Sequence, residues 1–371
     1  MSDAAIDVVV IGAGVTGLAA ALAIASRGHS TAVVEQHARA GMETSTHNSG
    51  VIHAGLYYPT GTLKAELCVE GASRLYRFCA EHGVPHDRCG KLVVAVEDHE
   101  IPTIEAITTL GAANGAEDLD VVGPDFIHQR EPHVRARAAL WSPHTGRVEA
   151  EALVRTLQRL GEAAGAILLR QARVVGGERR PNAAFEIRTE RETIEARVIV
   201  NAAGLYADDI SATFGGEPYR IYACRGEYAE LKRHRRHWLN GLVYPLPEPS
   251  GHGLGTHLTR TTGGAVLLGP TATYQERKDD YEGDRLPIDA FLEPTRRLIP
   301  EVTLDDLTYG GSGIRPKLHP ASERFADFMV RPDRSVPTLI HAAGIDSPGL
   351  TSCLAIAARL GPMVDEALRH A

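Results

Sequence analysis

The chain has 371 residues, of which 43% are hydrophobic and 23% charged, and a formal net charge of -8. This length predicts two interlocked domains, and the composition is that of an ordinary globular protein. The negative charge argues against a nucleic-acid partner, whose phosphates it would repel. The five cysteines form no CxxC pair and the 17 histidines no HExxH motif. We therefore expect reduced thiols and no metal site.

The first predicted elements form a complete βαβ unit. Residues 7–11 are a β-branched run of the kind found in parallel strands buried on both faces. A glycine-rich turn follows over 12–17, and a helix is predicted over 18–26. A second strand is predicted over 31–34 and ends at Glu35.

The apolar stretch 8–25 resembles a signal peptide or a membrane span in hydropathy alone. However, it is preceded by Asp3 and Asp7, has no basic residue before Arg27, and is interrupted by three glycines. A secretory signal would have a basic start and a small-residue cleavage site. We therefore expect a mature, cytoplasmic protein.

Further along the chain, helical and strand patterns alternate. Helices are predicted over 62–81, 101–113, 149–164 and 350 to about 368, and strands over 91–96, 166–175, 185–189, 197–200 and 338–342. Short alternating runs at 226–231, 255–260 and 265–269 indicate an antiparallel or mixed sheet. The basic run 232–237 is interpreted as a solvated loop between two strands, with peripheral membrane contact as the lesser alternative.

These patterns predict an α/β fold of mixed α+β character with two domains. The α/β pattern occupies 1–80, 145–218 and 325–371, which we assign to a discontinuous, Rossmann-like cofactor domain. A β-rich pattern occupies 81–144 and 219–324, which we assign to an inserted substrate domain with an antiparallel or mixed sheet.

The glycine turn predicts a dinucleotide site. A lone GxGxxG is weak, but this one follows a buried strand, opens a helix and precedes an acid at the end of the next strand. Gly12 would make the tight turn, Gly14 would let the backbone approach the pyrophosphate, and Gly17 would allow close helix packing. Free N–H groups at the helix start would bind the phosphates, and Glu35 the adenosine ribose. The predicted contacts are Gly12, Ala13, Gly14, Val15, Thr16, Gly17, Glu35 and Gln36.

The loop that follows favours FAD over NAD. Residues 43–55 (ETSTHNSGVIHAG) are polar and bounded by glycine, whereas an NAD dehydrogenase would normally continue with further βαβ units. Such a loop suits a second clamp on an extended pyrophosphate and ribityl chain. An ordinary surface loop would not explain the apolar pair before His53. The predicted contacts are Thr44, Ser45, His47, Asn48, Ser49, Gly50, Val51 and His53.

With these residues in view, the chain resembles the D-amino-acid oxidase superfamily of flavoproteins, and within it the L-2-hydroxyglutarate oxidase/dehydrogenase family. The segments that carry the resemblance are HNSGVIHAGLYYPTGTLKAELC (47–68), CGKLVVA (89–95), REPHV (130–134), CRGEY (224–228), YPLPEP (244–249), GTHLTR (255–260), GIRP (313–316) and DSPGLTS (346–352). They span nearly the whole chain in order. Between Thr271 and Asp306 the chain is some tens of residues shorter than typical members.

The resemblance implies a flavin ring held between an FAD-binding domain and a β-sheet substrate domain. By position, Val174 should clamp the adenine through its backbone, and Ala203 and Gly204 should pass close to the dinucleotide. A last turn should lie against the flavin pyrimidine, where the following helix start would stabilise negative charge on the reduced ring. That turn comprises Gly344, Ser347, Pro348, Gly349, Leu350 and Thr351.

Oxidation of a 2-hydroxy acid requires a base for the hydroxyl proton, and histidine is the usual choice. His53 is the first candidate, because its loop crosses the flavin face in this family; the alternative is that it only packs or bonds to backbone. His257 is the second candidate, and His47 and His319 are weaker ones.

A substrate carboxylate requires a fixed bidentate donor, which the planar guanidinium of arginine supplies. Arg315 matches the carboxylate-binding arginine of the amino-acid oxidases, and its glycines and Pro316 predict a rigid turn. A diacid would need a second donor, for which Arg225, Arg260 and Lys317 are candidates. Because His257 and Arg260 are three residues apart, at most one of them should enter the site from a regular strand.

Three functions follow from these residues. The favoured one is oxidation of a small carboxylate substrate, an L-2-hydroxy acid such as L-2-hydroxyglutarate, to the 2-oxo acid by hydride transfer to the flavin, with oxygen or a quinone as electron acceptor. The second is an amine or amino-acid oxidase of the glycine or sarcosine oxidase kind. The third is a non-catalytic flavin-binding redox module.

Overall fold

The computed structural model describes residues 6–180, 184–247 and 256–370. Residues 248–249 of the motif YPLPEP and residue 255 of the motif GTHLTR lie outside these ranges. The helices are α1 (Val15–Ala25), α2 (Leu63–His82), α3 (Ile101–Ala113), α4 (Pro124–Arg130), α5 (Ala150–Ala163), α6 (Ala207–Thr213), α7 (Leu292–Arg296) and α8 (Gly349–Arg369).

The strands belong to two large sheets and a small one. They are β1 (Ile6–Ile11), β2 (Thr31–Val34), β3 (Val51–Ile52), β4 (His86–Asp87), β5 (Lys91–Ala95), β6 (Asp120–Val122), β7 (Ala138–Ser142), β8 (Gly146–Val148), β9 (Ile167–Leu169), β10 (Val174–Arg179), β11 (Phe185–Thr189), β12 (Thr193–Asn201), β13 (Tyr222–Leu231), β14 (Leu242–Pro245), β15 (His257–Arg260), β16 (Val266–Gly269), β17 (Thr273–Gln275), β18 (Leu307–Lys317), β19 (Met329–Pro332) and β20 (Leu339–Ala343).

The first large sheet contains the predicted βαβ unit. Its strand order is β10-β11-β12-β1-β2-β9, with β20 beside β12 and β19 beside β20. The central strand β1 pairs in parallel with both β2 and β12. Its residues Val8, Val9 and Val10 are fully buried, because helices α1 and α8 pack on one face and a core around Phe185 and Phe214 on the other. The Rossmann-like prediction is confirmed.

The second large sheet is mixed, also as predicted. Its order is β17-β13-β16-β15-β14-β5-β7-β6, with β18 paired to β13. Strands β14 and β5 run parallel, whereas the other pairs are antiparallel. Its strands lie within 81–144 and 219–324, and those of the first sheet within 1–80, 145–218 and 325–371. The exact division into two domains stays a prediction.

The small third sheet, β3-β8-β4, joins segments that are far apart in sequence. Strand β3 pairs with β8 through Val51 and Arg147, and β8 pairs in turn with β4. His53 follows β3 directly, so this pairing fixes the point at which the chain leads into the candidate base.

Most predicted elements are confirmed, and those at 31–34, 101–113 and 185–189 have the predicted bounds. The single strand predicted over 166–175 is wrong. The structure has β9, which pairs in parallel with β2, and then β10, which pairs antiparallel with β11. Between β9 and β10 the chain moves from one neighbouring strand to another. A pattern of alternating residue types does not predict such a change.

The rigid turn predicted around Arg315 is also wrong, because GIRP lies inside the long strand β18. Residues from Leu307 to Lys317 pair antiparallel with β13. Among the described strands β18 pairs with β13 alone, so it is an edge strand. Edge strands tolerate glycine and proline, because one side of the backbone needs no ladder partner.

The basic run forms a short 3₁₀ helix, Arg233–Trp238, where a loop was predicted between two strands. Its charges are partly neutralised, since Arg235 pairs with Asp306 at 2.7 Å and Arg236 pairs with Glu230. No helix in the described part of the chain is long and apolar enough to cross a membrane. All five cysteines are described, and none of them forms a disulfide.

Candidate functional site

A cavity of about 1120 Å³ is lined by residues of both large sheets. The first sheet contributes Gly12 and Glu35 at one end, and the second contributes Tyr228, His257 and Arg315 at the other. The carboxyl ends of β1 and β2 open into this cavity, as expected for ligand sites of parallel α/β sheets.

The glycine turn cannot accommodate a side chain at Gly12 or Gly17. Gly12 has φ 103°, and a Cβ there would lie 2.5 Å from the carbonyl oxygen of Ala202. A Cβ on Gly17 would overlap the carbonyl oxygen of Gly12, so α1 packs directly on the turn. Helix α1 has no side-chain cap from Gly14 and no acid in its first turn. Its N-terminus is thus suited to a phosphate group.

Glu35 lines the cavity at the end of β2 and is only 7% exposed. Its Oε2 accepts a hydrogen bond from the backbone N–H of Ala13, and its Oε1 from that of His37, both at 2.8 Å. These bonds hold the carboxylate in one orientation. Each oxygen keeps a lone pair for a further donor, such as a ribose hydroxyl.

The clamp loop, residues 43–55, is held in shape by hydrogen bonds of its own side chains. Ser45 Oγ accepts from the backbone N–H of Val15 at 3.0 Å, which joins the loop to the start of α1. Asn48 Nδ2 donates to the carbonyl oxygens of Thr44 and Ser45, and its Oδ1 accepts from Gly50 N–H. Thr44 Oγ1 donates to the carbonyl of Ile314, so the loop is also tied to β18.

The cavity brings together most of the predicted cofactor contacts. Those that line it are Gly12, Gly14, Val15, Thr16, Glu35, Gln36, Thr44, Ser45, His47, Asn48, Ser49, Gly50, Val51, His53, Val174, Ala203, Gly204, Ser347, Pro348, Gly349 and Leu350. Four others, Ala13, Gly17, Gly344 and Thr351, lie behind the lining and support it. Gly344 has φ 67°, and Thr351 Oγ1 donates to Val51 O and accepts from the backbone N–H of His53.

His53 faces the cavity with its ring half-buried, and Nε2 lies 3.4 Å from Ser347 Oγ. Burial, followed by the nearby charge of Lys91, lowers the pKa of His53 to about 3. The imidazole is therefore neutral near pH 7, and one ring nitrogen can accept a proton. The shift moves its pKa away from the near-neutral value expected for an efficient base.

His257 lies on β15 at the same end of the cavity. Its ring stacks on Tyr244, with centroids 3.5 Å apart. Arg260, three residues along, donates from Nη1 to the carbonyls of Arg236 and Leu239 and does not line the cavity. The two weaker histidines also line it: His47 packs on Tyr281, and burial lowers the pKa of His319.

Arg315 projects from β18 into the cavity. Within the described residues only its Nη1 has a hydrogen-bond partner, the carbonyl of Thr271 at 3.2 Å, with a weaker contact to Cys224 Sγ. The rest of the planar guanidinium is available to a carboxylate. Of the proposed second donors, Lys317 lines the cavity, whereas Arg225 is buried in an ion pair with Glu227 at 3.0 Å.

Several lining residues were not predicted from the sequence. Tyr57 and Tyr58 lie within a quoted motif, but nothing in its pattern indicates a role for them. Burial raises the pKa of Tyr58 well above its usual value. Lys64 belongs to the same motif. The others come from separate parts of the chain, so only the fold brings them together: Tyr206, Tyr228, Tyr244, Lys278 and Asp346.

The described residues include a group of metal-ligand type, Glu217, Asp333 and His341, with ligand atoms within 4.8 Å of one another. All three are already paired. Arg331 forms an ion pair with Glu217, and Asp333 Oδ2 accepts from His341 at 2.9 Å and from Glu217 N–H. The group links β20 to its neighbours and lies outside the cavity lining.

The family described as FAD dependent oxidoreductase matches residues 7–361. The chain belongs to this family. The oxidoreductase is 32% identical to the mitochondrial L-2-hydroxyglutarate dehydrogenase of Caenorhabditis elegans, over 95% of this chain and 91% of that protein. It is 31% identical to the enzyme of the same name from Homo sapiens, over 98% and 90%.

Solved structures share the fold of this oxidoreductase. The FAD-bound L-alpha-glycerophosphate oxidase of Mycoplasma pneumoniae superposes with a TM-score of 0.89 at 23% identity, covering 98% of this chain and 95% of that one. Glycine oxidase from Geobacillus kaustophilus gives a TM-score of 0.84 at 20% identity, covering 97% and 95%.

The cofactor of the oxidoreductase is FAD, and the cavity fits it. The glycine turn would hold the pyrophosphate where any Cβ on Gly12 is excluded, and Glu35 would bind the ribose. The clamp loop and the start of α8 would hold the rest of the molecule. His53 and Arg315 line the same cavity.

Proposed function

We propose that this oxidoreductase oxidises an L-2-hydroxy acid to the 2-oxo acid, with L-2-hydroxyglutarate as the favoured substrate. The observation that carries the proposal is the presence of Arg315, a carboxylate-binding group, with His53 and His257 in the cavity that also contains the glycine turn. The names of the relatives, at 31–33% identity over nearly the whole chain, support the substrate.

In this proposal Arg315 and His53 have separate tasks. Arg315 binds the carboxylate beside the reacting carbon and fixes its rotation, because paired N–H donors hold a planar anion in one plane. His53 accepts the hydroxyl proton at Nε2, the ring nitrogen beside Ser347. FAD, when bound, supplies the acceptor for the hydride that leaves C2. His257 shapes the cavity wall with Tyr244 and is the second candidate for the base.

The competing proposal is oxidation of an amino acid or amine of the glycine or sarcosine kind. It would use the same arginine, but a substrate amine would have to arrive neutral or lose its proton in the site. A non-catalytic flavin module is the third alternative, which the retained histidines and Arg315 disfavour. We further propose oxygen or a quinone as electron acceptor, a cytoplasmic location, and peripheral membrane contact at 232–237 as a lesser alternative.

A panel of substrates tests these proposals directly. The purified flavoprotein is mixed anaerobically with L- and D-2-hydroxyglutarate, L-lactate, glycine and sarcosine, while absorbance is followed at about 450 nm, a flavin maximum. We expect bleaching by L-2-hydroxyglutarate and slow or no bleaching by the amines. Bleaching by an amine alone would support the competing proposal, and bleaching by none of them would favour the non-catalytic module.

A further inference from the structure

Two cations project from the same face of β18 toward the cavity. Arg315 and Lys317 are two residues apart on a strand, so their side chains point the same way, and both line the cavity. Two residues of a strand span roughly 6.5–7 Å. Arg315, the proposed anchor for one carboxylate, therefore has a second cation, Lys317, beside it on the same face of the strand.

Within the part of the chain that the structure describes, the Lys317 ammonium group has only long contacts with its neighbours. Its Nζ lies 3.4 Å from Asp346 Oδ2 and 3.4 Å from His319 Nε2. Asp346 is paired more closely with Lys64, at 2.7 Å. Two lysines thus share one carboxylate, and the group of Lys64, Lys317 and Asp346 has one excess positive charge.

The excess charge is mostly removed from water. The side chains of Lys64, Lys317 and Asp346 are 7%, 18% and 5% exposed. Burial alone would raise the pKa of Asp346, but the two ammonium groups hold it below its ordinary value. Burial lowers the pKa of His319, so that ring does not add a charge near neutral pH. An incompletely paired buried cation is costly, and an arriving anion would offset that cost.

We propose that Lys317 binds the distal carboxylate of a dicarboxylate substrate whose first carboxylate is held by Arg315. This inference rests on the proposed function and assigns its selectivity for a diacid to one residue. The carboxyl carbons of an extended five-carbon diacid are separated by roughly 5 Å, given C–C bonds of about 1.5 Å. With hydrogen bonds of about 2.8 Å at each end, such a molecule can join two cations on neighbouring positions of one strand face.

The test compares a diacid with a monoacid of the same length. Lys317→Met and Lys317→Arg are prepared as FAD-loaded proteins, with Lys232→Met, an exposed lysine on the 3₁₀ helix side of the molecule, as the matched control. Anaerobic flavin reduction is measured against concentration of L-2-hydroxyglutarate and L-2-hydroxypentanoate. Binding of the unreactive analogues glutarate and pentanoate is measured from their perturbation of the flavin spectrum.

We expect Lys317→Met to weaken binding of L-2-hydroxyglutarate and glutarate by roughly 10- to 100-fold, less than for a fully buried charge pair because the Lys317 side chain is 18% exposed. Binding of the two monoacids should change by less than about threefold. Lys317→Arg should keep much of the preference for the diacid, and Lys232→Met all of it. FAD content should be the same in every variant.

Two results would overturn the inference and leave the proposed function standing. One is unchanged binding of glutarate and L-2-hydroxyglutarate in Lys317→Met. The other is equal weakening of diacid and monoacid, with or without loss of FAD, which would assign Lys317 to support of the cavity. If no hydroxy acid reduces even the wild-type flavin, the proposed function fails, and the glutarate titration still decides whether Lys317 binds a distal carboxylate.

Discussion

At the end of the cavity that contains the glycine turn, the chain supplies close hydrogen-bond partners to its own polar groups, whereas Arg315 and Lys317 at the other end are only partly satisfied by their neighbours. Glu35 and Ser45 accept from backbone N–H groups at 2.8 and 3.0 Å. By contrast, among the described residues Arg315 forms a hydrogen bond to an oxygen only through Nη1, and the contacts of Lys317 Nζ are 3.4 Å long.

The difference separates two kinds of site. The glycine-turn end is formed by backbone and by hydrogen-bonded side chains, so changes there should act on folding and on FAD retention. In the proposed function a substrate would neutralise the cations of the other end, so changes there should act on turnover while FAD remains bound. Each prediction below tests one side of this comparison.

The largest effect is expected at the glycine turn. Gly12→Ala puts a Cβ 2.5 Å from the Ala202 carbonyl oxygen, at a φ of 103° that side chains rarely adopt. Gly28→Ala is the matched control, because Gly28 also has a positive φ, of 89°, but a Cβ there would meet no atom within 4 Å. We expect Gly12→Ala to purify without FAD and to melt at a lower temperature.

Gly28→Ala should lose only the stability that a side chain at positive φ costs, of order 1–3 kcal/mol, and should keep its yellow colour. Absorbance spectra and thermal melts of the two variants measure this contrast. Equal FAD content in Gly12→Ala and wild type would contradict the assignment of this turn to the pyrophosphate.

The next largest effect is expected at His53. His53→Ala removes the ring that faces the cavity, but the backbone N–H that donates to Thr351 Oγ1 remains. Flavin reduction should therefore slow by roughly 10²–10⁴-fold, the usual contribution of a general base, while FAD stays bound. Stopped-flow reduction and FAD content are the two measurements, with the exposed His99→Ala as control.

Parallel loss of FAD and of activity would show that His53 only packs. A wild-type reduction rate in His53→Ala would transfer the role of base to His257, which also lines the cavity.

Arg315→Ala should weaken transition-state binding by roughly 3–5 kcal/mol, the cost of breaking a buried charge pair, without loss of FAD. Arg315→Lys should restore part of the loss, because lysine keeps the charge but not the planar pair of donors. The exposed Arg220→Ala, which removes a surface ion pair with Glu276 and a contact with the Tyr222 ring, is the control. Flavin reduction against substrate concentration measures all three. A change under about 1 kcal/mol in Arg315→Ala would exclude Arg315 as the carboxylate anchor.

The two ends of the cavity also differ in how much of them could be predicted from the sequence. The cofactor end is local: Gly12, Glu35 and the loop that follows lie within one stretch of chain, with spacings set by backbone geometry. The other end is assembled from β13, β14, β15 and β18, and sheet pairing alone determines which of their residues meet. Lys91 occurs in a run of strand residues, so its pattern does not indicate its burial beside Tyr57 and Tyr244.

The smallest predicted effect is a pH dependence caused by Lys91. Its Nζ lies 5.0 Å from the Tyr57 ring and 4.8 Å from the Tyr244 ring, and the side chain is 1% exposed. Burial lowers the pKa of Lys91 to about 7, and a weaker interaction with Cys68 opposes this shift. Burial and then the charge of Lys91 lower the pKa of His53 to about 3. The two groups are therefore coupled within the range in which enzymes are assayed.

Below about pH 7 Lys91 is charged and makes His53 a weaker base, and above it Lys91 is neutral and His53 is a stronger one. Flavin reduction should thus accelerate by roughly two- to tenfold as pH rises through this value, for a pKa change of up to about one unit. Lys91→Met should abolish the rise and give the faster rate at both pH 6 and pH 8. Burial also raises the pKa of Glu131 to about 7, but Glu131 lies in a separate pocket with Asn240 and Gly241. A rise that persists in Lys91→Met and disappears in Glu131→Gln would therefore assign the pH dependence to Glu131 and remove Lys91 from the proton chemistry of the site.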